Sequence, residues 1–386
     1  MQFSIKDLGE IITGNTPSKT KEEYWNSADI CFVKPDMISV DGITLIDDSN
    51  EYISEKAREK ARVVLKDTIF VTCIGTIGKI GIASDGEYAF NQQINAIIPN
   101  DIVLPKYLAY SLLYSKSRLV AIANSPVVPI INKTQFGDFF VNIEVDKHKQ
   151  VEIIEKLDKL SGIIETRRSE LEELDNLIKA RFVEMFGDPI LNPKGWDIVA
   201  IGDVIIDIRY GTSKPAVEGG KYHYLRMNNI TVDGQLDLKE LKHIDISYDE
   251  IEKYVVRKGD ILFNRTNSID LVGKTAVFDL PEEMVIAGYI IRVRLNEKKM
   301  LPCFLSQYMN LEAIKGILRS MAKGAVNQAN INAQELQSIK VYTPDIELQK
   351  QYVEFKKRVD KSKVAVQKAL DEAQTLFDSL MQKYFG

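Results

Sequence analysis

KHKQVEIIEKLDKLSGIIETRRSELEELDNLIKARFVEMF, residues 147–186, has no proline and a single glycine, Gly162. Its apolar residues recur at alternating gaps of three and four, through Leu157, Leu160, Ile164, Leu171, Leu174 and Ile178, with Arg167 as a polar interruption. That spacing is the seam of a heptad-patterned helix, and an apolar seam has to be covered by another apolar surface. Residues 347–385 carry a second seam, through Val359, Lys363, Val366, Leu370, Ala373, Phe377 and Leu380. Two seams in one chain predict that the helices pair with each other; the alternative is that each packs on its own domain. At 1.5 Å per residue, each would make a rod of about 60 Å.

The two helices close two copies of one pattern. Phe3-Ser4-Ile5 is answered by Trp196-Asp197-Ile198, Val33-Lys34-Pro35 by Leu225-Arg226-Met227, and Asp41-Gly42 by Asp233-Gly234. Leu65-Lys66-Asp67-Thr68-Ile69 is answered by Arg257-Lys258-Gly259-Asp260-Ile261, Gly78-Lys79 by Gly273-Lys274, and Leu104-Pro105 by Leu301-Pro302. Each copy ends in Phe-Gly, at Phe186-Gly187 and Phe385-Gly386. The offset, roughly 192 to 200 residues, is far longer than the 20 to 50 of a solenoid and means two whole domains with pseudo-two-fold character. The partition is 1–143, 144–187, 188–343 and 344–386.

Within the globular parts, short apolar runs such as Ile69–Cys73, Ile94–Ile98, Ile261–Phe263 and Tyr289–Leu295 read as strands, bounded by Gly, Asp and Asn. Pro105–Val120 and Pro302–Ala322 read as helices. The fold class is α/β of an α+β-like kind: two similar mixed α/β domains and two long helices.

The chain has 386 residues, 45% hydrophobic and 27% charged, the composition of soluble globular protein. No run approaches the roughly 20 apolar residues of a membrane span, and the first residues lack the basic and apolar regions of a signal peptide. Cys31, Cys73 and Cys303 show no paired spacing, which argues for a reducing, cytoplasmic setting and against a disulfide frame or zinc site. The net charge is −5, and no segment has the strongly basic balance that flags a nucleic-acid binder by composition alone.

Catalytic templates fail. Gly273-Lys274-Thr275 resembles the end of a phosphate-binding loop, but Ser268 stands where that motif needs glycine, and Gly78-Lys79-Ile80 lacks the hydroxyl. Both read as turns between strands. There is no Asn/Asp-Pro-Pro-aromatic tetrapeptide and no glycine-rich cofactor loop after an early strand. His148, His223 and His243 are scattered without ligand spacing, His223 in a polar turn and His148 at a helix start. Glu22-Glu23 and Glu282-Glu283 solvate loops.

Both copies do carry polar loops rich in hydrogen-bond donors. The first copy offers Asn15, Thr16, Ser18, Lys19, Lys34, Thr76, Lys79, Gln92 and Gln93. The second offers Arg209, Tyr210, Thr212, Ser213, Lys214, Arg226, Asn228, Arg265, Thr266, Asn267, Ser268, Lys274, Asn327 and Gln328. Arginine matches guanine edges and Asn or Gln adenine edges through paired hydrogen bonds, while Ser, Thr and Lys fix phosphates. Tyr24 and Tyr210 could stack or touch sugars. Arg265-Thr266-Asn267-Ser268, a row of consecutive donors leaving a strand, is the strongest candidate. The repeat is least faithful in these loops: Asn91-Gln92-Gln93 aligns with Ala287-Gly288-Tyr289, and Thr72–Thr76 with Asn264–Ser268.

The whole arrangement resembles the specificity subunits of type I restriction–modification systems. The resemblance rests on the duplicated order of domain and helix, and on Gly14-Asn15-Thr16-Pro17-Ser18 with Tyr24-Trp25, Tyr210-Gly211-Thr212-Ser213, Gly259–Asn267, and Asn330-Ile331-Asn332. It implies two target recognition domains, each reading half of a split, asymmetric site on double-stranded DNA. It also implies an antiparallel two-helix coiled coil that sets the spacer, a rod length matching roughly 17 base pairs. The helices would dock two DNA methyltransferase (modification) subunits, with restriction/translocase subunits joining. Methyl donor, ATP and metal would belong to those partners, with no cofactor in this chain and no membrane. One departure concerns the junction: a Pro-Pro-Leu-x-Glu-Gln type of string is expected where this chain has Pro344-Asp345-Ile346-Glu347-Leu348-Gln349 and Val145-Asp146-Lys147-His148-Lys149-Gln150.

The resemblance makes the protein a non-catalytic reader, and the near-neutral charge then predicts weak binding by the chain alone. Two other readings stand beside it: a self-contained methyltransferase or nuclease, and a coiled-coil scaffold whose α/β heads bind protein rather than DNA.

Overall fold

The computed structural model describes residues 1–123, 128–325 and 328–386. The chain forms two compact units, Met1–Ser169 with Gln367–Gly386, and Glu170–Val366. Each unit therefore takes in one globular part and portions of both long helices, a division that runs across the partition expected from the sequence.

In the first unit, the main sheet has the order Gly9–Thr13, Ile94–Pro99, Ile69–Thr72, Ile80–Ala83, Ile43–Ile46. Its pairs are antiparallel except the last, which is parallel. The period-two alternation of these strands sends Ile69, Val71 and Ile97 to one face, against Tyr107, Leu108 and Leu112. Phe70, Ile94 and Ala96 go to the other, against Val33, Tyr88 and Phe90 of a second sheet. That sheet has the order Tyr52–Ile53, Ile30–Val33, Glu87–Phe90, Val63–Leu65. Strands buried on both faces explain why the sequence showed apolar runs rather than alternation.

The second unit repeats this plan. Its main sheet runs Ile205–Tyr210, Ile290–Leu295, Ile261–Asn264, Thr275–Val277, and its second sheet Lys242–Ile244, Tyr222–Leu225, Met284–Ile286, Val255–Val256. Phe263, Ile291 and Val293 face Phe304, Leu305 and Tyr308, while Leu262 and Ile290 face Leu225 and Ile286. Arg292 is buried between the sheets, made tolerable by hydrogen bonds to the Val255 carbonyl and to Asp207 Oδ2, the latter at 2.6 Å. A three-stranded sheet, Thr266–Asn267, Gln328–Asn330, Lys323–Ala325, is added in this unit.

Each expected single helix is broken in two. Pro105–Tyr114 is followed by Lys116–Ala121, and Pro302–Asn310 by Glu312–Met321. At the second break the Asn310 amide turns to the sheet, donating to Thr275 O at 2.6 Å, and Leu311 is extended at φ −65°, ψ 141°. Asparagine competes for backbone groups in this way, which makes it a poor helix interior.

Lys147–Phe186 and Ile346–Phe385 are continuous helices. In the first unit Ile153 and Leu157 share a core with Phe377, Leu380, Met381 and Phe385. In the second, Leu174, Ile178, Phe182 and Phe186 share one with Tyr352, Phe355 and Val359. The start of one helix meets the end of the other in both units, the order of an antiparallel pair. The remaining seam residues Leu160, Ile164, Leu171, Val366 and Leu370 are buried or half-buried, and Lys363 is paired with Asp175. No helix among the described residues is long and apolar enough to cross a membrane.

Candidate nucleic-acid interface

In both units the donor-bearing loops gather at one end of the main sheet. In the first, the strand Gly9–Thr13 ends where Ile94–Pro99 begins and Ile69–Thr72 ends, because the three are antiparallel neighbours. Gly14 N–H donates to Ile94 O at 3.1 Å and Asn15 N–H to Phe90 O at 3.0 Å, pressing the loop onto the Asn91–Gln93 turn. A Cβ on Gly14 would collide with the Asn91 and Phe90 carbonyls, so the position requires glycine. Across this seam Thr16 Oγ1 donates to Gln92 Oε1 at 2.8 Å, and Asn15 Nδ2 to Lys60 O at 2.6 Å.

The same loop is edged by an aromatic and charged group. Trp25 Nε1 donates to Ser18 O at 3.2 Å, and Lys19 Nζ lies 3.4 Å from the Trp25 ring centre. Lys19 and Lys34 both donate to Glu51, each at 2.6 Å. Lys19 first and Lys34 second hold the Glu51 carboxyl below its usual range. Thr16, Ser18, Lys19 and Gln92 are exposed, whereas Asn15, Lys34 and Gln93 are half-buried. Thr76 is exposed on the Cys73–Ile77 loop, which meets this turn through Cys73 N–H to Gln93 O at 2.8 Å.

The second unit builds the same corner with other side chains. Gly211 N–H donates to Ile290 O at 3.0 Å, and a Cβ there would collide with Ala287 O as one on Gly14 does with Asn91 O. Arg265 leaves the strand Ile261–Asn264 and stands 4.9 Å from the Tyr210 ring, its Nη2 donating to Asn330 Oδ1 at 3.0 Å and its Nη1 to Gly288 O at 3.4 Å. Tyr210 Oη accepts from Ala333 N–H at 2.8 Å. Arg265 is thus fixed on one side by a ring and an amide, as a preorganised reader of an edge needs to be. Asn267 Nδ2 donates inward to Asn264 Oδ1 at 2.8 Å, and Ser268 is half-buried. Arg209 pairs with Asp207 at 3.0 Å and Lys214 with Glu250 at 2.6 Å. Ser213, Asn228 and Gln328 are exposed, and Arg226 is half-buried with a guanidinium hydrogen bond to Glu240 O at 3.3 Å. Asn327 lies outside the described residues.

Four of the expected contact residues have side chains engaged within the fold. Lys274 is buried, and its Nζ donates to Met227 O at 2.8 Å and Ile230 O at 2.5 Å. Burial lowers its pKa. Lys79, its counterpart, donates to Pro35 O at 2.8 Å. In each unit the lysine braces the short turn that follows the strand Ile30–Val33 or Tyr222–Leu225. Thr212 and Thr266 are also buried, their hydroxyls accepting from Lys214 N–H at 3.2 Å and Asn330 Nδ2 at 3.1 Å. Lys315 adds a second buried brace, donating to Gly273 O at 2.7 Å with its pKa pushed down to about 7 by burial.

Two of the three histidines meet, while His148 stands apart at the start of Lys147–Phe186. His223 lies in a strand, not a turn, directly opposite His243, with ring centres 4.9 Å apart. Two residues of the second corner were not among the expected contacts. Tyr289, half-exposed on the turn that meets Gly211, aligns with Gln93 across the repeat, and that alignment was the available signal. Asn330, which anchors Arg265, stands in the Asn330-Ile331-Asn332 string that carries the resemblance, and that string was its signal.

The comparisons with known proteins fit this duplicated corner. A model of the family described as Type I restriction modification DNA specificity domain matches residues 1–176 and 193–373, one stretch for each copy. The chain belongs to that family. It is 30% identical over 196 residues to the putative type I restriction enzyme MjaX specificity subunit of Methanocaldococcus jannaschii, covering 50% of this chain and 46% of the relative. It is 28% identical over 253 residues to the MjaIX specificity subunit of the same organism, covering 58% and 57%. The chain thus spans about half the length of these curated relatives. The EcoKI specificity subunit of Escherichia coli K12 is 20% identical over 356 residues, covering 85% and 76%. Among solved structures, a type I restriction–modification S subunit from M. genitalium shares the fold, with a TM-score of 0.58 at 14% identity over 100% of this chain and 96% of the other. This family does not favour the reading of the heads as protein-binding modules.

Proposed function

We propose that this chain is the DNA-reading subunit of a type I restriction–modification complex, each globular part reading one half of a bipartite, asymmetric sequence. The observation that carries the reading is the corner described above: one scaffold built twice, with donor-bearing side chains that differ between the copies. Asn15, Thr16 and Gln92 in one copy and Tyr210, Arg265 and Tyr289 in the other give two chemically distinct surfaces. Distinct surfaces are what two different half-sites require, because bases are told apart by the donor and acceptor pattern of their edges.

The paired helices then serve as the docking platform for two methyltransferase subunits, and restriction/translocase subunits join that assembly. The chain contributes no catalysis: methyl donor, ATP and metal are held by those partners, in the cytoplasm. The test is to sequence methylated positions in cells expressing this chain with its modification subunit. One split motif that depends on this chain is expected. A chain-independent motif, or an uninterrupted one, overturns the reading.

A further inference from the structure

Each globular part keeps the lysine of its first polar loop on a carboxylate. Glu51 takes two lysines, accepting from Lys34 on Oε1 and from Lys19 on Oε2, both at 2.6 Å. Lys19 is held there from its other side by the Trp25 ring. Glu250 accepts from Lys214 at 2.6 Å and from Ser247 Oγ at 2.8 Å on the same oxygen. The two carboxylates do not correspond in the repeat. Glu51 precedes the strand Tyr52–Ile53, whereas Glu250 lies in the helix Tyr248–Tyr254. The pairing is therefore built separately in each unit. Glu51 and Glu250 are 33% and 32% exposed, so both stand where a duplex beside the loop would meet them.

We propose that Glu51 and Glu250 are specificity-determining residues: they hold the loop lysines away from backbone phosphate and so weaken binding to duplexes of the wrong sequence. The inference rests on the DNA-reading role proposed above. A free lysine that neutralises a phosphate releases a counterion, and this sequence-independent gain dominates non-specific binding. A lysine that must first leave a carboxylate exchanges one ion pair for another and leaves a negative charge beside the phosphates. Little net attraction remains, and contacts to base edges must supply the affinity.

The test uses the full chain with its modification subunit and two fluorescent duplexes, one of mixed sequence and one carrying the motif found by methylation sequencing. Binding is followed by anisotropy across a salt series for wild type, Glu51→Gln, Glu250→Gln and Glu51→Gln/Lys19→Ala. Each single variant should bind the mixed duplex roughly two- to five-fold more tightly at low salt, the range set by one surface ion pair. Its salt slope should steepen by about 1 to 2, at about 0.9 for each phosphate gained. The preference for the motif should fall, and Lys19→Ala should reverse much of the Glu51→Gln effect. Wild-type affinity and slope in both single variants, with the motif still preferred by wild type, overturns the inference and leaves the reading intact. Wild type that prefers neither duplex overturns both.

Discussion

A buried glutamine at the start of each long helix shows how the repeat holds together residue by residue. Gln150 donates to Ile102 O at 3.0 Å and Glu144 O at 2.6 Å, and accepts from Leu104 N–H at 2.7 Å. Gln349 makes the same set, to Lys299 O at 3.2 Å and Pro344 O at 2.8 Å, and from Leu301 N–H at 2.9 Å. Each ties the long helix to the loop that enters Pro105–Tyr114 or Pro302–Asn310. The junction strings match the one the resemblance calls for only loosely, with Pro344 the one proline kept between them, yet the glutamine that carries these hydrogen bonds is present in both. Gln349→Leu fills the space but leaves two carbonyls and one N–H unpaired in the interior. It should destabilise the second unit by about 2–4 kcal/mol, measured by chemical denaturation, and Gln150→Leu should do the same to the first. A cost near zero in both would show that the helix is anchored by its apolar face alone. The lysines teach the opposite lesson. Lys79 and Lys274 follow glycines in turns, a context that reads as exposed, because the carbonyls that receive them come from segments over 40 residues away.

Among the elements, those with local causes were legible and those with distant causes were not. Heptad spacing set the helices Lys147–Phe186 and Ile346–Phe385, and apolar runs between glycines marked the strands of both main sheets. The break at Leu311 was hidden because it depends on Asn310 finding the edge strand at Thr275. The strand Thr266–Asn267 was hidden likewise, since its partner Gln328–Asn330 is distant in sequence. That pairing bears on the loop expected to read DNA. Asn267 turns inward, so of the four residues 265–268 Arg265 is the one whose guanidinium is carried at the corner, between Tyr210 and Asn330. Arg265→Ala should relax one half of the methylated motif and cost roughly 1–3 kcal/mol in binding. Arg265→Lys should fare nearly as badly, because an ammonium cannot make the planar fork to Asn330 and Gly288 while lying over the ring. Methylation sequencing reads the first outcome and equilibrium binding the second. A lysine variant with the wild-type motif would reduce Arg265 to a phosphate contact.

At the scale of the whole molecule, the way each globular part is entered and left decides what can be exchanged. Gln2–Ser4 pairs antiparallel with Phe140–Asn142, and Ile198–Ala200 with Lys340–Tyr342. The first and last strands of each part are hydrogen-bonded neighbours, so the chain leaves beside the point where it came in. A block bounded in this way can be replaced without redirecting the flanking helices. The sequence partition at 143, 187 and 343 places two of its boundaries just after Phe140–Asn142 and Lys340–Tyr342. It could not show that each compact unit also borrows the far end of the other helix, since that follows from Phe377–Phe385 and Phe182–Phe186 finding cores distant in sequence. Exchanging residues 198–342 for the matching block of a relative with a different recognition sequence should therefore change one half of the methylated motif and keep the other. Sequencing methylated positions before and after the exchange measures this directly. If both halves change, the two parts do not read independently, and the donor-bearing corners are not two readers but pieces of one. If neither changes, recognition lies outside the exchanged block, and the loops at Tyr210, Arg265 and Tyr289 lose their assignment.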